Sequence, residues 1–324
     1  MKRLLLILCL ALPGCLDLDG FVFNPIHCST VGPETCEDSP WPDAWDRACV
    51  PCEEEYDWTI EYDWIEGTLD AGTTAVRPIT TAVERSTLTS DDGLAELDVY
   101  WVPGHGEVPE LANTTVLYNH GNYLGVEHYQ VRVRFLHEAG YNVIIWDYRG
   151  YGKSMPEGAP TTDQFLADAH TMLARAKEMA PDPDKLIVYA NSLGGVPAVE
   201  ISIADPPCAL MLEAPFTSMS RISRSNSTTG FPESFFSQNK FDNVAKLQGY
   251  ADPLFVMSGT EDNFFPLEDE LELYEGAVGP KNFWAVEGAR HGISTGGVPE
   301  AGLTQYYEAM SGFLDEHAPS CLTL

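Results

Sequence analysis

Basic residues are scarce in this chain. Lys and Arg number 18 against 49 Asp and Glu, for a formal net charge of −31. A surface of that sign repels phosphate backbones, so no nucleic-acid partner is expected, and polyanionic substrates are disfavoured. The ordinary consequence of the excess acid is solubility. Long apolar runs are also scarce. No stretch reaches the ~20 residues that a membrane-crossing helix needs. There is no internal repeat and no low-complexity tract. What is present is a hydrophobic fraction of 44% over 324 residues. That is too high for a disordered protein and enough for one large α/β domain with a small appendage.

The amino terminus reads as an address. Lys2 and Arg3 form a positive stretch, and residues 4–12 form a short apolar core,. It ends in Leu12-Pro13-Gly14-Cys15, which resembles a bacterial lipobox. The resemblance implies a diacylglyceryl group on Cys15. The mature protein would then be an extracytoplasmic lipoprotein of a bacterial cell envelope, held at the membrane by its lipid anchor. The alternative is an ordinary cleaved signal with an incidental cysteine.

Beyond Cys9 and Cys15, six cysteines remain: Cys28, Cys36, Cys49, Cys52, Cys208 and Cys321. An even number outside the cytoplasm predicts disulfides. Four of the six cluster in residues 16–76. There, His27 with the Cys49-x-x-Cys52 pair makes zinc the rival reading,. A single C-x-x-C with scattered partners is the weaker pattern, so disulfides are expected and no metal.

Three regions follow: a signal and lipobox over 1–15, a Cys-rich spacer or subdomain over 16–76, and a catalytic domain over 77–324. In the second, Trp58, Ile60, Tyr62 and Trp64 alternate at period two and predict a strand,. From about residue 81 the pattern becomes strand–helix alternation. Residues 86–89 and 96–102 read as antiparallel strands joined at Asp91-Asp92-Gly93,. Continuous apolar strands are predicted at 116–118, 141–146, 186–189, 209–212, 253–257 and 283–286. Helices are predicted at 129–137, 162–179, from 192 to about 203, at 267–274 and at 303–316. Repeated βα units with such strands imply a mostly parallel, twisted sheet covered by helices on both faces.

The chemistry centres on Ala190-Asn191-Ser192-Leu193-Gly194-Gly195 at a strand-to-helix junction. A tight turn there lifts a serine hydroxyl clear of the sheet, with a helix N-terminus facing developing negative charge. Ala190 stands where Gly is usual. The bland alternative is a serine capping a helix. His291 follows the last predicted strand, at the carboxyl edge where ligands bind in open α/β sheets. His27, His105, His128, His137, His170 and His317 are poorer bases; His128, His137, His170 and His317 fall on or beside helices, where solvated faces are expected. His120 is expected to be structural. In elbow enzymes the chain order is serine, acid, histidine. That order selects Asp262, with Glu261 its confusable neighbour and Glu213 an outside candidate. The backbone N–H groups of Leu193 and Asn122 are the expected oxyanion donors.

From about residue 81 to 317 the chain resembles the α/β-hydrolase superfamily. It looks most like the small-lid branch of serine-aminopeptidase-like hydrolases and depalmitoylases. The matching text is His120-Gly121-Asn122, the run Asp147 to Ser154, Asn191-Ser192-Leu193-Gly194-Gly195, Ala214-Pro215-Phe216-Thr217-Ser218, Gly259 to Pro266, and His291. The Asp147 to Ser154 run is structural in that superfamily. A short lid is expected at about 217–245, with Phe231, Phe235 and Phe236 either lining an acyl pocket or packing the lid.

The expected activity is cofactor-free hydrolysis of a small, lipid-like acyl ester or thioester by a monomer. A serine peptidase or amidase, and a non-catalytic binding protein on the same fold, are the alternatives. One disulfide is predicted from topology. Cys208 precedes a strand at the amino-terminal edge of the sheet, and the final helix returns towards that edge, so Cys321 should meet it.

Overall fold

The computed structural model describes residues 23–28, 55–59, 62–66, 72–219, 221, 241–291 and 297–323. Its centre is an eight-stranded sheet. In chain order its strands are β3 (Glu84–Thr89), β4 (Glu96–Val102), β5 (Thr115–Asn119), β6 (Asn142–Trp146), β7 (Leu186–Asn191), β8 (Ala209–Glu213), β9 (Leu254–Gly259) and β10 (Lys281–Val286). Across the sheet they run β10-β9-β8-β7-β5-β6-β4-β3. The β3–β4 and β4–β6 pairs are antiparallel and the rest are parallel. Strands such as Leu186–Asn191 and Ala209–Glu213 are buried along their whole length. Apolar side chains on both faces demand cover on both faces, and parallel crossovers supply it.

One layer contains α1 (Val126–Ala139) and α6 (Leu303–His317), with Phe135, Leu136, Tyr306, Met310 and Phe313 packed together on the sheet. The other contains α2 (Thr162–Met179), α3 (Gly195–Ala204), α4 (Asn243–Lys246) and α5 (Leu267–Gly276), with Phe165, Met172, Val196 and Leu273 in its core. α2 spans the predicted residues because its start is encoded locally. Thr161 caps the Gln164 amide, and the Gln164 side chain accepts from the Thr161 amide,.

The Cys-rich region departs from the expected spacer. The predicted strand over Trp58 to Trp64 is displaced: Trp58 lies in a turn, and the strand is β1 (Tyr62–Glu66), paired antiparallel with β2 (Gly72–Val76) in a separate sheet. Tyr56 and Trp58 are buried in the main core, with the Tyr56 ring stacked 5.3 Å from that of Tyr100. The Tyr56 hydroxyl donates to Glu127 Oε2 at 2.9 Å. The outer face of α1 is therefore covered by chain that the sequence pattern assigns elsewhere. The expectation of solvated faces for His128 and His137 is corrected as well: both are buried, His128 against Tyr123 and Tyr129, and His137 against His105 and Thr81. Burial, with the His120 ring and the Arg132 guanidinium nearby, holds the His128 ring down to about 3.

Glu127 shares this cover. Burial pushes its carboxyl up to about 7. The adjacent Asp147 is raised well above the usual range by burial and by Glu127. A carboxyl raised in the folded state adds stability that is complete below its unfolded value, near ~4.3, and that is lost as pH rises through the folded value. Glu127→Gln removes this dependence while keeping an acceptor for Tyr56. The melting temperature of the variant relative to wild type is expected to climb between pH 5 and pH 8. A difference that is flat with pH would show that the carboxyl is not raised.

At the far edge of the sheet Cys208 and Cys321 are joined, with alpha carbons 5.4 Å apart and a sequence separation of 113. Cys28 is also disulfide-bonded. Cys15, Cys36, Cys49 and Cys52 lie outside the described residues, as do Phe231, Phe235, Phe236 and most of the expected lid at 217–245. No helix of the described residues is long and apolar enough to cross a membrane.

Candidate active site

Three crossovers end at the same edge of the sheet. β7 delivers Ser192 at its carboxyl end, and β9 and β10 deliver the loops carrying Asp262 and His291. Ser192 has φ 52°, a left-handed conformation that a non-glycine residue adopts only where the surroundings enforce it,. The enforcement is packing: a Cβ on Gly194 would stand 2.1 Å from the Asn119 carbonyl oxygen, so only glycine lets α3 approach β5. Ala190 is fully buried within β7 and is accommodated there.

The Asp262 and His291 loops are tied to each other by backbone. The Glu261 amide donates to the Ala289 carbonyl at 2.9 Å and the Thr260 amide to Val286 at 3.0 Å. The Gly288 amide donates to Thr260 Oγ1 at 2.8 Å. His291 Nδ1 lies 2.7 Å from Asp262 Oδ2, and Nε2 lies 3.0 Å from Ser192 Oγ. With a carboxylate accepting at Nδ1, the proton sits there and Nε2 accepts from the serine hydroxyl. The other carboxylate oxygen, Oδ1, accepts the amides of Phe264 and Phe265 at 2.7 and 2.9 Å. Both phenylalanine rings also touch the imidazole, with centroids 4.9 and 5.0 Å away.

One competing acid is engaged elsewhere. Glu213 holds Arg132 at 2.7 and 2.6 Å and the Tyr189 hydroxyl at 2.5 Å, all inside the core. Glu261 is exposed. The loop after β5 borders the serine: a Cβ on Gly121 would lie 3.4 Å from Ser192 Cβ. His120 at its base is stacked on Tyr148 with centroids 4.0 Å apart, and its Nδ1–H donates to the Gly121 carbonyl at 2.8 Å. Burial holds that ring down to about 3, so it stays neutral. Among the described residues no group of three or more His, Cys, Asp or Glu is placed to hold a metal ion.

The family described as serine aminopeptidase, S33, matches residues 111–241. With the sheet order above, that match marks the chain as having the α/β-hydrolase fold.

The chain is 29% identical over 184 residues to human alpha/beta hydrolase domain-containing protein 17B, covering 56% of the chain and 61% of that protein. It thus spans less than two thirds of that relative. It is 27% identical over 220 residues to the uncharacterized protein YfhR of Salmonella typhi, covering 63% of the chain and 73% of YfhR. In structure it is similar to the Pyrococcus furiosus esterase Pf2001, with a TM-score of 0.58 at 20% identity, covering 74% of the chain and 94% of the esterase. Est1E of Butyrivibrio proteoclasticus, solved with ferulic acid bound, is similar with a TM-score of 0.57 at 18% identity, covering 72% and 99%. These structural likenesses speak to the fold.

Three interactions of the site were not assigned from sequence. Phe264 and Phe265 wall the imidazole. The Tyr129 hydroxyl, on α1, lies against the Gly121 and Tyr123 amides. The Asn122 side chain accepts from Tyr151 and from Asn24. Tyr151 belongs to the characteristic Asp147 to Ser154 run and offered a signal. Asn24 offered none.

Proposed function

We propose that the chain is an extracytoplasmic serine hydrolase that cleaves an acyl ester or thioester through an acyl-enzyme. The observation that carries this reading is the hydrogen-bonded chain from Asp262 through His291 to Ser192, at a strained strand–helix elbow. His291 Nε2 takes the Ser192 proton as Oγ attacks the acyl carbon. Asp262 holds the imidazole and stabilises the imidazolium. The Leu193 and Asn122 amides receive the oxyanion. The imidazolium protonates the leaving group, and water then attacks the acyl-enzyme by the reverse route.

Ester chemistry is favoured by the esterases among the structural neighbours. The family's description as serine aminopeptidase favours amide cleavage as the second reading. Purified protein is expected to react with a fluorophosphonate probe at Ser192 and to hydrolyse p-nitrophenyl butyrate. Turnover of amino-acid p-nitroanilides alone would move the assignment to a peptidase. Absence of both labelling and turnover would leave a binding protein on this fold.

The membrane part of the reading rests on Cys15. Labelled palmitate is expected to enter the wild type in a bacterial host and to be absent from Cys15→Ser. An unlabelled, soluble wild-type product would instead mean an ordinary cleaved signal.

A further inference from the structure

We propose that the amino-terminal arm, residues 23–28, positions the oxyanion loop through the backbone amide of Asn24; this rests on the serine-hydrolase reading above. The arm lies well before the hydrolase domain in the chain, yet it is seated in that domain at three points. The Phe23 ring is buried between Phe165 and Phe241, with centroids 5.0 and 6.0 Å away. The Gly152 amide donates to the Ile26 carbonyl at 3.0 Å, and the Cys28 amide donates to the Gly152 carbonyl at 2.7 Å. Between these anchors the Asn24 amide donates to Asn122 Oδ1 at 2.9 Å and to the Tyr151 hydroxyl at 3.0 Å. The Tyr151 hydroxyl donates in turn to Asn122 Oδ1 at 2.5 Å.

The side chain of the residue whose backbone faces the reaction is therefore clamped from the arm and from the Asp147 to Ser154 loop together. The clamp has a reason to exist. The loop from His120 to Gly125 is irregular and includes Leu124 at φ 49°. Oxyanion donors work only when held at hydrogen-bond distance from the developing charge. An ångström of drift there costs rate even though no reacting group is lost. Loss of a residue acting in this way lowers kcat and transition-state affinity without altering ground-state binding.

Because the donor is a backbone N–H, the test turns on proline. In the full chain, Asn24→Pro deletes the donor, whereas Asn24→Ala removes an exposed side chain and keeps the donor. Asn24→Pro is expected to lower kcat for p-nitrophenyl butyrate by about tenfold to a hundredfold, below the loss for deleting an oxyanion donor outright. KM should stay within about twofold, and inhibition by phenylboronic acid, a tetrahedral mimic, should weaken by the same factor as kcat. Asn24→Ala should match wild type in all three.

Tyr151→Phe, which removes the second donor to Asn122 and one of the two acceptors of the Asn24 amide while sparing the Phe23 and Gly152 anchors, is expected to lower kcat with KM unchanged. It decides between the outcomes if the proline variant fails to fold. Wild-type kcat in Asn24→Pro, or in Tyr151→Phe, overturns the proposal while leaving the serine hydrolase standing. Equal losses in Asn24→Ala and Asn24→Pro overturn it as well. A wild type with neither turnover nor fluorophosphonate labelling sinks the hydrolase reading itself.

Discussion

Ser192→Ala is expected to lower ester hydrolysis by about a million-fold and to abolish fluorophosphonate labelling. The size follows from the geometry. Ser192 Oγ is the hydroxyl held by His291 Nε2, and the φ of 52° at that residue lifts it from the end of β7 towards the loop of Gly121. Alanine leaves the oxyanion donors in place but offers nothing to acylate, so only residual stabilisation of water attack remains. His291→Ala should fall nearly as far, and the double variant no further, because the two residues act as one unit. Stopped assays over hours, with active-site titration of the wild type, would resolve the range. A Ser192→Ala protein that still takes the probe covalently would place the nucleophile on another residue.

Much of this site was legible in the sequence because its signals are local. The elbow needs a strand, a serine and small residues within one hexapeptide. Asp262 and His291 each follow a continuous apolar strand of the same sheet, so chain order alone brings their loops to one edge. α2 spans the predicted 162–179, and its Thr161–Gln164 cap forms within a single turn.

The amino-terminal segment was illegible for the opposite reason. Phe23 packs against Phe165, and Tyr56 and Trp58 against Tyr100, all far along the chain. No periodicity in residues 16–76 records those partners. The same blindness misread α1. Its polar side chains from Glu127 to His137 are buried, and Glu127 and Arg134 meet that distant segment at Tyr56 and Asp57. Glu213 shows the converse case. An acid at a strand end matched the pattern for the site, yet its partner Arg132, on the helix across the core, claims it.

Asp262→Asn is expected to cut kcat by about ten-thousandfold at neutral pH with little change in KM. The carboxylate's two oxygens have fixed and different duties. Oδ1 accepts the Phe264 and Phe265 amides, while Oδ2 faces His291 Nδ1. In asparagine the carbonyl oxygen must keep the first position, because an NH2 group there would meet two donors. The NH2 is thereby forced to face Nδ1, which must then accept, and the ring proton moves to Nε2. An Nε2 that donates towards Ser192 cannot take the serine proton, so the base is in place but in the wrong tautomer. Glu261→Gln and Glu213→Gln should leave the pH 7 rate close to wild type, since neither side chain reaches the imidazole. If Glu213→Gln were instead the crippling change in a protein of unaltered melting temperature, the orienting acid would be Glu213, and the route from Asp262 to Ser192 would have to be given up.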